Sequence, residues 1–285
     1  MGARRKVPSI TFCVKPSEKA WINLGGCNFN CKGCFAVAKE DVGRQLPVEE
    51  LLKLFAESCI LIYGRLVGDV VVTGGEPTLD PEYLIGLIDG LRGLSVRSVG
   101  LSTNGYLLDE DYVEGLRAAK VDLIKLDIKA YTREVHRWYT GRSNEPVLRA
   151  ARLLHESGIN FYARTIFVPG IVDLEEVGRI AKFLGSIDRK ITYRIYEFSP
   201  DHSRGRVSRR PTKEEMLQAF EIAKRHLDNV EAIPASDVYD SSYEYVEVRD
   251  EGLAERFREV DEVSRSVIKG WRMGRVWMGE VLRAR

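Results

Sequence analysis

The sequence has no long apolar run. None of its 285 residues lies in an uncharged apolar stretch that approaches the about 18 residues a membrane-spanning helix needs. The first residues also lack the apolar core of a signal peptide. We therefore expect a cytoplasmic protein with no membrane partner.

The sequence also lacks an excess of positive or negative charge. The 43 basic residues nearly balance the 42 acidic residues and give a net charge of +1. Such a balance creates no global field that would recruit nucleic acid or an acidic membrane. We therefore do not expect nucleic acid as a partner.

Cysteine is scarce and unevenly distributed. The chain has five cysteines, an odd number that does not favour a disulfide framework. Three of them, Cys27, Cys31 and Cys34, lie within eight residues in the spacing C-x3-C-x2-C. Cys13 in a strand-like run and Cys59 in an apolar stretch offer no convincing fourth ligand for a closed zinc or iron-sulfur site. The three thiols therefore predict a [4Fe-4S] cluster with one iron open to an outside ligand.

The middle of the chain alternates short β-branched runs with amphipathic segments. This alternation is typical of βα units around a parallel sheet. Six units predict an α/β fold, a partial (β/α)6 TIM-type barrel, rather than a closed barrel of eight. The predicted strands are Ala20–Leu24, Asp69–Thr73, Ser98–Ser102, Leu123–Ile128, Phe161–Phe167 and Ile191–Glu197. The predicted helices are Val48–Tyr63, Pro81–Leu91, Glu110–Ala119, Pro146–Ser157, Leu174–Leu184 and Lys213–His226.

The two ends of the chain depart from this alternation. We predict an N-terminal segment over residues 1–19, a core barrel over 20–234 and a C-terminal helical extension over 235–285. Within the extension, Gly252–Lys269 has the pattern of a charged amphipathic helix, and Gly270–Trp277 is basic with two tryptophans. The basic segment could contact RNA or a protein partner. A C-terminal helix that packs its aromatic residues on the barrel is the favoured interpretation.

Chemically unusual residues follow the predicted strands at one end. In barrels of this kind the loops at the carboxyl ends of the strands carry the reactive groups. The cysteine loop follows the first strand, and each later strand ends in or beside further polar or glycine residues. These are Gly74, Gly75 and Glu76, then Ser102 and Asn104, then Asp127 and Lys129, then Arg164, and then His202. Their placement predicts one shared site above the sheet.

Several of these residues also have a plainer interpretation. Gly74–Pro77 and Asn104–Gly105 are common turn sequences. Asp127 and Lys129 could form a structural salt bridge, because they alternate along a strand and point the same way. A lone loop histidine such as His202 is commonly exposed. Each plainer interpretation stays open on the sequence alone.

The functional interpretation assigns these residues to a zwitterionic ligand that carries ribose hydroxyls. The two glycines would let an amino group approach backbone carbonyls, with the glutamate that follows them as a charge partner. Ser102 and Asn104 could hydrogen-bond the hydroxyls, and Lys129 with Asp127 could take the carboxylate. Arg164, at an inward-facing position, needs a carboxylate partner or a bound anion.

Together these motifs resemble the radical S-adenosylmethionine (radical SAM) superfamily. Its hallmark is a C-x3-C-x2-C loop followed one βα unit later by a glycine-glycine-glutamate segment, and both occur here in order. The resemblance implies a barrel of the radical SAM kind whose [4Fe-4S] cluster binds S-adenosyl-L-methionine at the open iron. It also implies that one electron cleaves this cofactor to a 5′-deoxyadenosyl radical, which abstracts a substrate hydrogen atom.

The resemblance implies a role for each matching residue. Cys27, Cys31 and Cys34 match the cluster ligands, and Gly74, Gly75 and Glu76 match the site of the methionine amino group. Ser102 and Asn104 match ribose contacts, and Phe29 or Phe35 matches the cover of the adenine. A narrower resemblance, to the pyruvate formate-lyase activating enzyme group, implies Lys129 at the methionine carboxylate, Arg164 near it and His202 as a later contact.

Within the superfamily, the region from Leu126 to Gly170 is most similar to the pyruvate formate-lyase activating enzyme group. The matching pieces include Leu126–Lys129, Thr140–Asn144 and Val168–Gly170. This resemblance implies an oxidoreductase that makes a glycyl radical on a partner enzyme, with an electron donor such as a ferredoxin or a flavodoxin. The alternatives are a radical SAM enzyme that modifies a small molecule, an RNA nucleoside or a peptide, and a non-catalytic zinc or iron-sulfur protein.

Overall fold

The computed structural model describes residues 3–34, 36–201, 209–235, 242–268 and 270–283. Phe35 and His202 lie outside these ranges, so their roles stay predictions. Within the ranges, no helix combines the length and the apolar character needed to cross a membrane.

Strands and helices alternate through the middle of the chain, as the sequence predicts. In chain order the strands are β1 (Arg4–Val7), β2 (Ser9–Lys15), β3 (Lys19–Leu24), β4 (Arg44–Pro47), β5 (Asp69–Gly74), β6 (Ser98–Thr103), β7 (Leu123–Asp127), β8 (Phe161–Phe167), β9 (Thr192–Glu197), β10 (Val230–Ile233), β11 (Glu244–Arg249) and β12 (Met273–Trp277). The helices are α1 (Val48–Tyr63), α2 (Pro81–Gly93), α3 (Glu110–Ala118), α4 (Arg133–Thr140), α5 (Glu145–Glu156), α6 (Leu174–Ile187), α7 (Lys213–Lys224), α8 (Ala254–Val267) and α9 (Met278–Arg283).

One sheet organises the molecule. Among the described residues its ten strands follow the order β10-β9-β8-β7-β6-β5-β3-β2-β11-β12, so β10 and β12 are the outermost of them. All neighbouring strands from β3 to β10 pair in parallel. The partial barrel predicted from the sequence is therefore confirmed, and the short strand β10 adds a parallel strand to the six predicted ones.

Short polar side chains begin several of the helices. Asp80, Asp109 and Asp173 accept backbone N–H groups in the first turns of α2, α3 and α6. Thr212 and Glu215 form a reciprocal capping box at the start of α7. These caps satisfy N–H groups that have no partner inside the helix.

The two faces of the sheet differ in chemistry. On β7, Ile124 and Leu126 are fully buried on the outer face, in the core that the helices cover. Lys125 and Asp127 alternate with them and point to the opposite face, where Arg164 lies beside Asp127 on the neighbouring strand β8. We call this second side the inner face. Its charged side chains contrast with the apolar side chains of the outer face.

The C-terminal extension joins the same sheet. The helix expected over Gly252–Lys269 is present as α8. Residues Met273–Trp277, which we expected in a packed helix, instead form strand β12, because they pair in parallel with β11. In turn, β11 pairs antiparallel with β2. The extension thus contributes strands as well as helices.

A buried polar network fixes the extension to the barrel. Arg249 on β11 is 2% exposed and donates two hydrogen bonds of 2.7 Å to the carboxylate of Asp261 on α8. It also donates to Glu247, whose other carboxylate oxygen accepts hydrogen bonds of 3.0 Å from Ser9 and Thr11 on β2. Such a paired and fully hydrogen-bonded arginine is tolerated in the interior, whereas an unpaired one is strongly destabilising.

Candidate active site

The cysteine loop leaves β3 and lies against helix α4. The backbone N–H of Asn30 donates to the carbonyl of Thr140 at 2.7 Å, and that of Lys32 donates to the carbonyl of Tyr139 at 3.1 Å. The side chain of Arg142 adds a hydrogen bond of 3.2 Å to the carbonyl of Asn28. The end of α4 therefore sets the path of the loop.

The packing of the loop leaves little room for a side chain between the second and third cysteines. A Cβ atom at Gly33 would lie 2.5 Å from the Tyr139 hydroxyl and 3.0 Å from the ring of Phe198. Tyr139 is 3% exposed and belongs to a small apolar cluster with Phe198 against which Cys31 packs. Tyr139 and Phe198 therefore fill the space beside the loop that a larger residue at position 33 would need.

The three thiols share one loop but differ in environment. Burial raises the pKa of Cys27 to about 12 and the pKa of Cys31 to about 11. The positive charge of Lys129 lies close enough to lower the pKa of Cys31 against this trend. Within the described residues, no group of three or more His, Cys, Asp or Glu side chains is arranged to hold a metal ion. Metal binding would have to displace the protons of these thiols.

The two glycines after β5 allow close contact with the start of the cysteine loop. A Cβ atom at Gly75 would overlap the carbonyl oxygens of Gly26 and Ala38, and Gly74 has a φ of +117°. The backbone N–H of Glu76 donates to the carbonyl of Gly26 at 2.7 Å. The glycines therefore have a structural reason of their own, because they bring two backbones into contact.

Glu76 is a buried connector between strand ends. It is 1% exposed, and one carboxylate oxygen accepts from the Thr78 N–H at 3.0 Å, from the Thr78 hydroxyl at 2.6 Å and from the Thr103 hydroxyl at 2.7 Å. The other oxygen accepts from the Asn104 N–H at 2.7 Å. Burial raises the pKa of Glu76, while these hydrogen bonds oppose the rise. The ends of β5 and β6 are joined through this side chain.

Asn104 lies between Glu76 and the first cysteine. Its amide Nδ2 donates to Asn28 Oδ1 at 2.7 Å and lies 4.0 Å from Cys27 Sγ, and its Oδ1 accepts from the Tyr106 N–H at 3.0 Å. Asn28 Nδ2 is buried and has no hydrogen-bond partner within the described part of the chain. This unsatisfied donor beside Cys27 is a place where a bound group would gain a hydrogen bond.

Asp127 joins two cations at the carboxyl end of β7. Arg164 forms two hydrogen bonds to its carboxylate, and Lys129 Nζ lies 3.2 Å from Asp127 Oδ2. Burial alone would raise the pKa of Asp127, but the charges of Arg164 and Lys129 outweigh it and hold the pKa below its usual range. The structural salt bridge is therefore present, and the three side chains together still carry one positive charge.

Phe29 and Ser102 are more enclosed than the sequence suggests. Phe29 is 4% exposed, and its ring meets those of Tyr106 and His136 edge to face at 5.5 Å and 5.4 Å. Ser102 is 6% exposed and lies opposite Lys125 on the inner face. An adenine contact for Phe29 and a ribose contact for Ser102 stay predictions.

Arg5 connects two loops of the site, and no motif in the sequence indicates this role. Its guanidinium donates to the carbonyls of Gly25 at 2.8 Å, of Glu76 at 3.3 Å and of Pro77 at 3.3 Å, and it is 9% exposed. It thus links the cysteine loop to the turn after β5. These partners lie 20 to 72 residues away in sequence, so no local pattern could have identified the residue. Tyr139 was missed for the same reason.

A known family matches the region of the chain that contains the candidate site. The model of the Radical SAM superfamily matches residues 23–184, which contain every described site residue named above except Arg5 and Phe198. The match thus covers more than half of the chain.

Individual relatives differ in the activities that their names state. A candidate glycyl-radical enzyme activating enzyme of Methanocaldococcus jannaschii is 34% identical over 221 residues, 76% of this chain and 81% of the relative. The pyruvate formate-lyase-activating enzyme of Streptococcus mutans is 32% identical over 149 residues, 48% of this chain and 53% of the relative. The GTP 3′,8-cyclase of Gloeobacter violaceus is 34% identical over 185 residues, 61% of this chain and 53% of the relative. The matched regions span about half the length of the last two proteins.

Solved structures show the same fold. A domain of the pyruvate-formate lyase-activating enzyme from Bacteroides vulgatus superposes with a TM-score of 0.51 at 22% identity. The superposition covers 58% of this chain and 98% of that domain.

Proposed function

The chain belongs to the radical SAM superfamily, and we propose that it is the activating enzyme of a glycyl-radical enzyme. The observation that carries this role is the 34% identity to the candidate activating enzyme of Methanocaldococcus jannaschii, over 81% of that protein. Membership of the superfamily makes the chain an enzyme and implies S-adenosyl-L-methionine and a [4Fe-4S] cluster as its cofactors.

The donor set suits a cluster with three protein ligands. Cys27, Cys31 and Cys34 supply three thiols from one loop, and thiolates are the ligands that iron-sulfur clusters use. We propose these three as the ligands. When bound, the cluster and S-adenosyl-L-methionine together supply the one-electron cleavage that yields a 5′-deoxyadenosyl radical.

The chain's own residues would orient the cofactor. Asp127 holds Lys129 in place near Cys31, so the ammonium group can take the methionine carboxylate beside the cluster ligands. Arg164, which also pairs with Asp127, adds a second positive charge beside Lys129. Glu76 keeps Asn104 next to Cys27, where its amide group is close to the proposed ribose position. The turn Gly74–Glu76 would take the methionine amino group.

Partly buried walls would keep water from the reaction. Tyr139 and Phe198 pack beside the cysteine loop, and within the loop the buried ring of Phe29 contacts the rings of Tyr106 and His136. A dry site prevents a reactive intermediate from being quenched before it meets its substrate. The inner face then remains as the side from which a glycine-bearing segment could enter.

The test follows the hydrogen atom. Protein reconstituted with iron and sulfide without oxygen is reduced in the presence of S-adenosyl-L-methionine and a candidate glycyl-radical enzyme that carries deuterated glycine. We expect deuterium to appear in 5′-deoxyadenosine. A protein that binds one zinc ion and forms no 5′-deoxyadenosine would contradict the enzyme as a whole. Cleavage without transfer from any glycine would contradict the activating role alone.

A matched pair of cysteine variants tests the ligands. Cys31→Ala removes a proposed ligand, so we expect loss of cluster absorbance and of cofactor cleavage. Cys59 is fully buried in α1, far from the loop in sequence, and belongs to the apolar core. Cys59→Ala should keep the cluster and cost only about 1 kcal/mol of stability. Iron content and unfolding by urea measure the two effects. A Cys31 variant that still cleaves the cofactor would overturn the ligand assignment.

A second candidate function is chemistry on a small molecule. The GTP 3′,8-cyclase relative is as similar in identity, at 34%, although it matches a smaller share of the chain. The same assay separates the two candidates. Deuterium that reaches 5′-deoxyadenosine from ribose-deuterated GTP, and from no glycine, would favour the small-molecule role.

A further inference from the structure

Lys125 lies deeper on the inner face than the residues assigned above. It is half-buried, stands two residues before Asp127 on β7, and lies opposite Ser102 on β6 and Tyr162 on β8. Two residues of a strand span about 7 Å. Lys125 is therefore one step further from the carboxyl ends of the strands than Asp127, on the side of the sheet that a substrate would occupy.

The cations around Lys125 are already paired. Lys19 forms an ion pair of 2.9 Å with Asp69, and Arg194 forms one of 2.9 Å with Glu231. Arg164 is paired with Asp127. The side chain of Lys125 forms no hydrogen bond or ion pair with any residue that the structure describes, although Asp69 is close enough to attract it.

The surroundings disfavour the charge on Lys125. Burial is the main reason that its pKa is lowered to about 8, and the positive charges of Lys19 and Arg164 lower it further. Asp69 opposes this effect but does not offset it. A half-buried cation among other cations is stabilised when an anion joins it. The site therefore has a driving force to take up a negative group.

Aromatic side chains share the inner face with Lys125. Tyr162 is 6% exposed, lies beside Lys125 and is covered by the guanidinium of Arg194 at 4.2 Å from its ring centre. Trp21 lies on the same face, with Lys19 over its ring at 5.8 Å. A lysine beside aromatic side chains is suited to bind the anionic end of a larger molecule, because the rings can contact its apolar part.

We propose that the ammonium group of Lys125 binds an anionic group of the substrate, a carboxylate or a phosphate, on the inner face of the sheet. The proposal rests on the proposed function only in taking the inner face as the substrate side. Lys125 would then fix how far the substrate enters, and so which hydrogen atom comes to the cofactor. Of the cations named here, Lys125 alone forms no ion pair with a carboxylate of the described residues.

The test uses anaerobically reconstituted protein whose lysines carry ¹³C-methyl groups. Inorganic phosphate and acetate serve as probes, and sodium chloride at matched ionic strength is the reference. The Lys125 resonance, assigned by its loss in Lys125→Gln, should shift saturably with one probe and show a raised apparent pKa. Lys53, which is exposed on α1, provides the control resonance and should respond only to ionic strength. A response to phosphate alone or to acetate alone identifies the group.

Thermal unfolding of variants gives an independent readout. The effective probe should raise the unfolding temperature of the wild type and of Lys125→Arg, because a ligand that binds the native state stabilises it. In Lys125→Gln the affinity should fall at least about tenfold. A Lys125 resonance that follows chloride and both probes alike would overturn the proposal, as would full stabilisation of Lys125→Gln. Neither readout needs cofactor cleavage, so anion binding without deuterium transfer from glycine would refute only the activating role.

Discussion

At the scale of single residues, the contact between two backbones is the most demanding feature of the site. Gly75→Ala would push the turn after β5 away from the carbonyls of Gly26 and Ala38. We expect a loss of about 2 kcal/mol in the free energy of unfolding, together with weaker cluster binding. Urea unfolding and iron content after reconstitution measure both.

Gly93 is the matched control for this substitution. It ends α2, and a Cβ atom there would meet no atom within 4 Å. Gly93→Ala should raise stability by about 0.5 kcal/mol, because alanine favours the helix more than glycine does. Equal effects of the two substitutions would show that close contact at Gly75 is unimportant.

The ion pairs of Asp127 predict a dependence of stability on pH. Its pKa in the native state lies below the usual 3.8. The stabilisation is therefore present above about pH 4 and is lost as the pH falls through the lower native value. Asp127→Asn should reduce stability by about 3 kcal/mol at pH 7, because it removes the negative charge that pairs with Arg164 and Lys129.

The difference between the wild type and Asp127→Asn should shrink as the pH is lowered toward about 3. Urea unfolding across this range measures it. Glu114 is the control, because it pairs with Arg117 on the exposed surface of α3 and should show no measurable effect on substitution by glutamine. A difference between wild type and Asp127→Asn that grows toward acid would contradict the assignment.

The residues with unusual chemistry could be predicted from the sequence, but the residues that hold them in position could not. Cysteine spacing and the glycine-glycine-glutamate turn stand out in any reading of the chain. Arg5 looks like an ordinary charge in an N-terminal strand, and Tyr139 like an ordinary helix residue. Their importance arises only when the fold brings distant segments together.

At the scale of elements, local patterns determined most boundaries. The helix Val48–Tyr63 and the strand Phe161–Phe167 have the predicted bounds. The strand predicted at Leu123–Ile128 ends one residue earlier, at Asp127. These segments combine a clear apolar period with clear end signals, so their bounds depend little on tertiary contacts.

Elements whose pairing depends on distant partners were harder to predict. Strand β12 contains Gly274, and glycine is a poor strand former, so the pairing with β11 accounts for the strand. Strand β10 has only four residues and is partly exposed. For such segments the neighbour in space, rather than the local sequence, determines the structure.

The attachment of α8 gives a prediction at this scale. Asp261→Ala would leave Arg249 buried without its main partner, so we expect a loss of about 3 kcal/mol. Glu262→Ala changes an exposed neighbour on the same helix and should have almost no effect. Thermal and urea unfolding of the two variants provide the comparison. Equal stability of both would show that the buried pair contributes nothing.

At the scale of the whole molecule, the C-terminal extension is part of the core. Val248, Phe257, Met278 and Val281 are each at most 3% exposed. A chain that ends at Ser242 would lose all four and should be less stable by at least roughly 6 kcal/mol. It would also expose the edge of β2, so aggregation should increase.

Light scattering and urea unfolding test this truncation against a control chain that ends at Arg283 and keeps every described element. An unchanged denaturation midpoint in the shorter chain would mean that the extension is an accessory to an independently stable barrel. The prediction of three segments, 1–19, 20–234 and 235–285, would then gain support as a division into folding units.

The polar network between β3, β2, β11 and α8 also protects the alignment of the strands. Asn23 donates to Ser9 and Thr11, and both of these donate to Glu247. A slip of β2 by one residue would turn Ser9 and Thr11 to the outer face and break every one of these bonds. The chain is therefore locked in register four residues before Cys27, and an error in pairing near the C terminus cannot arise without displacing the strand that delivers the cysteines.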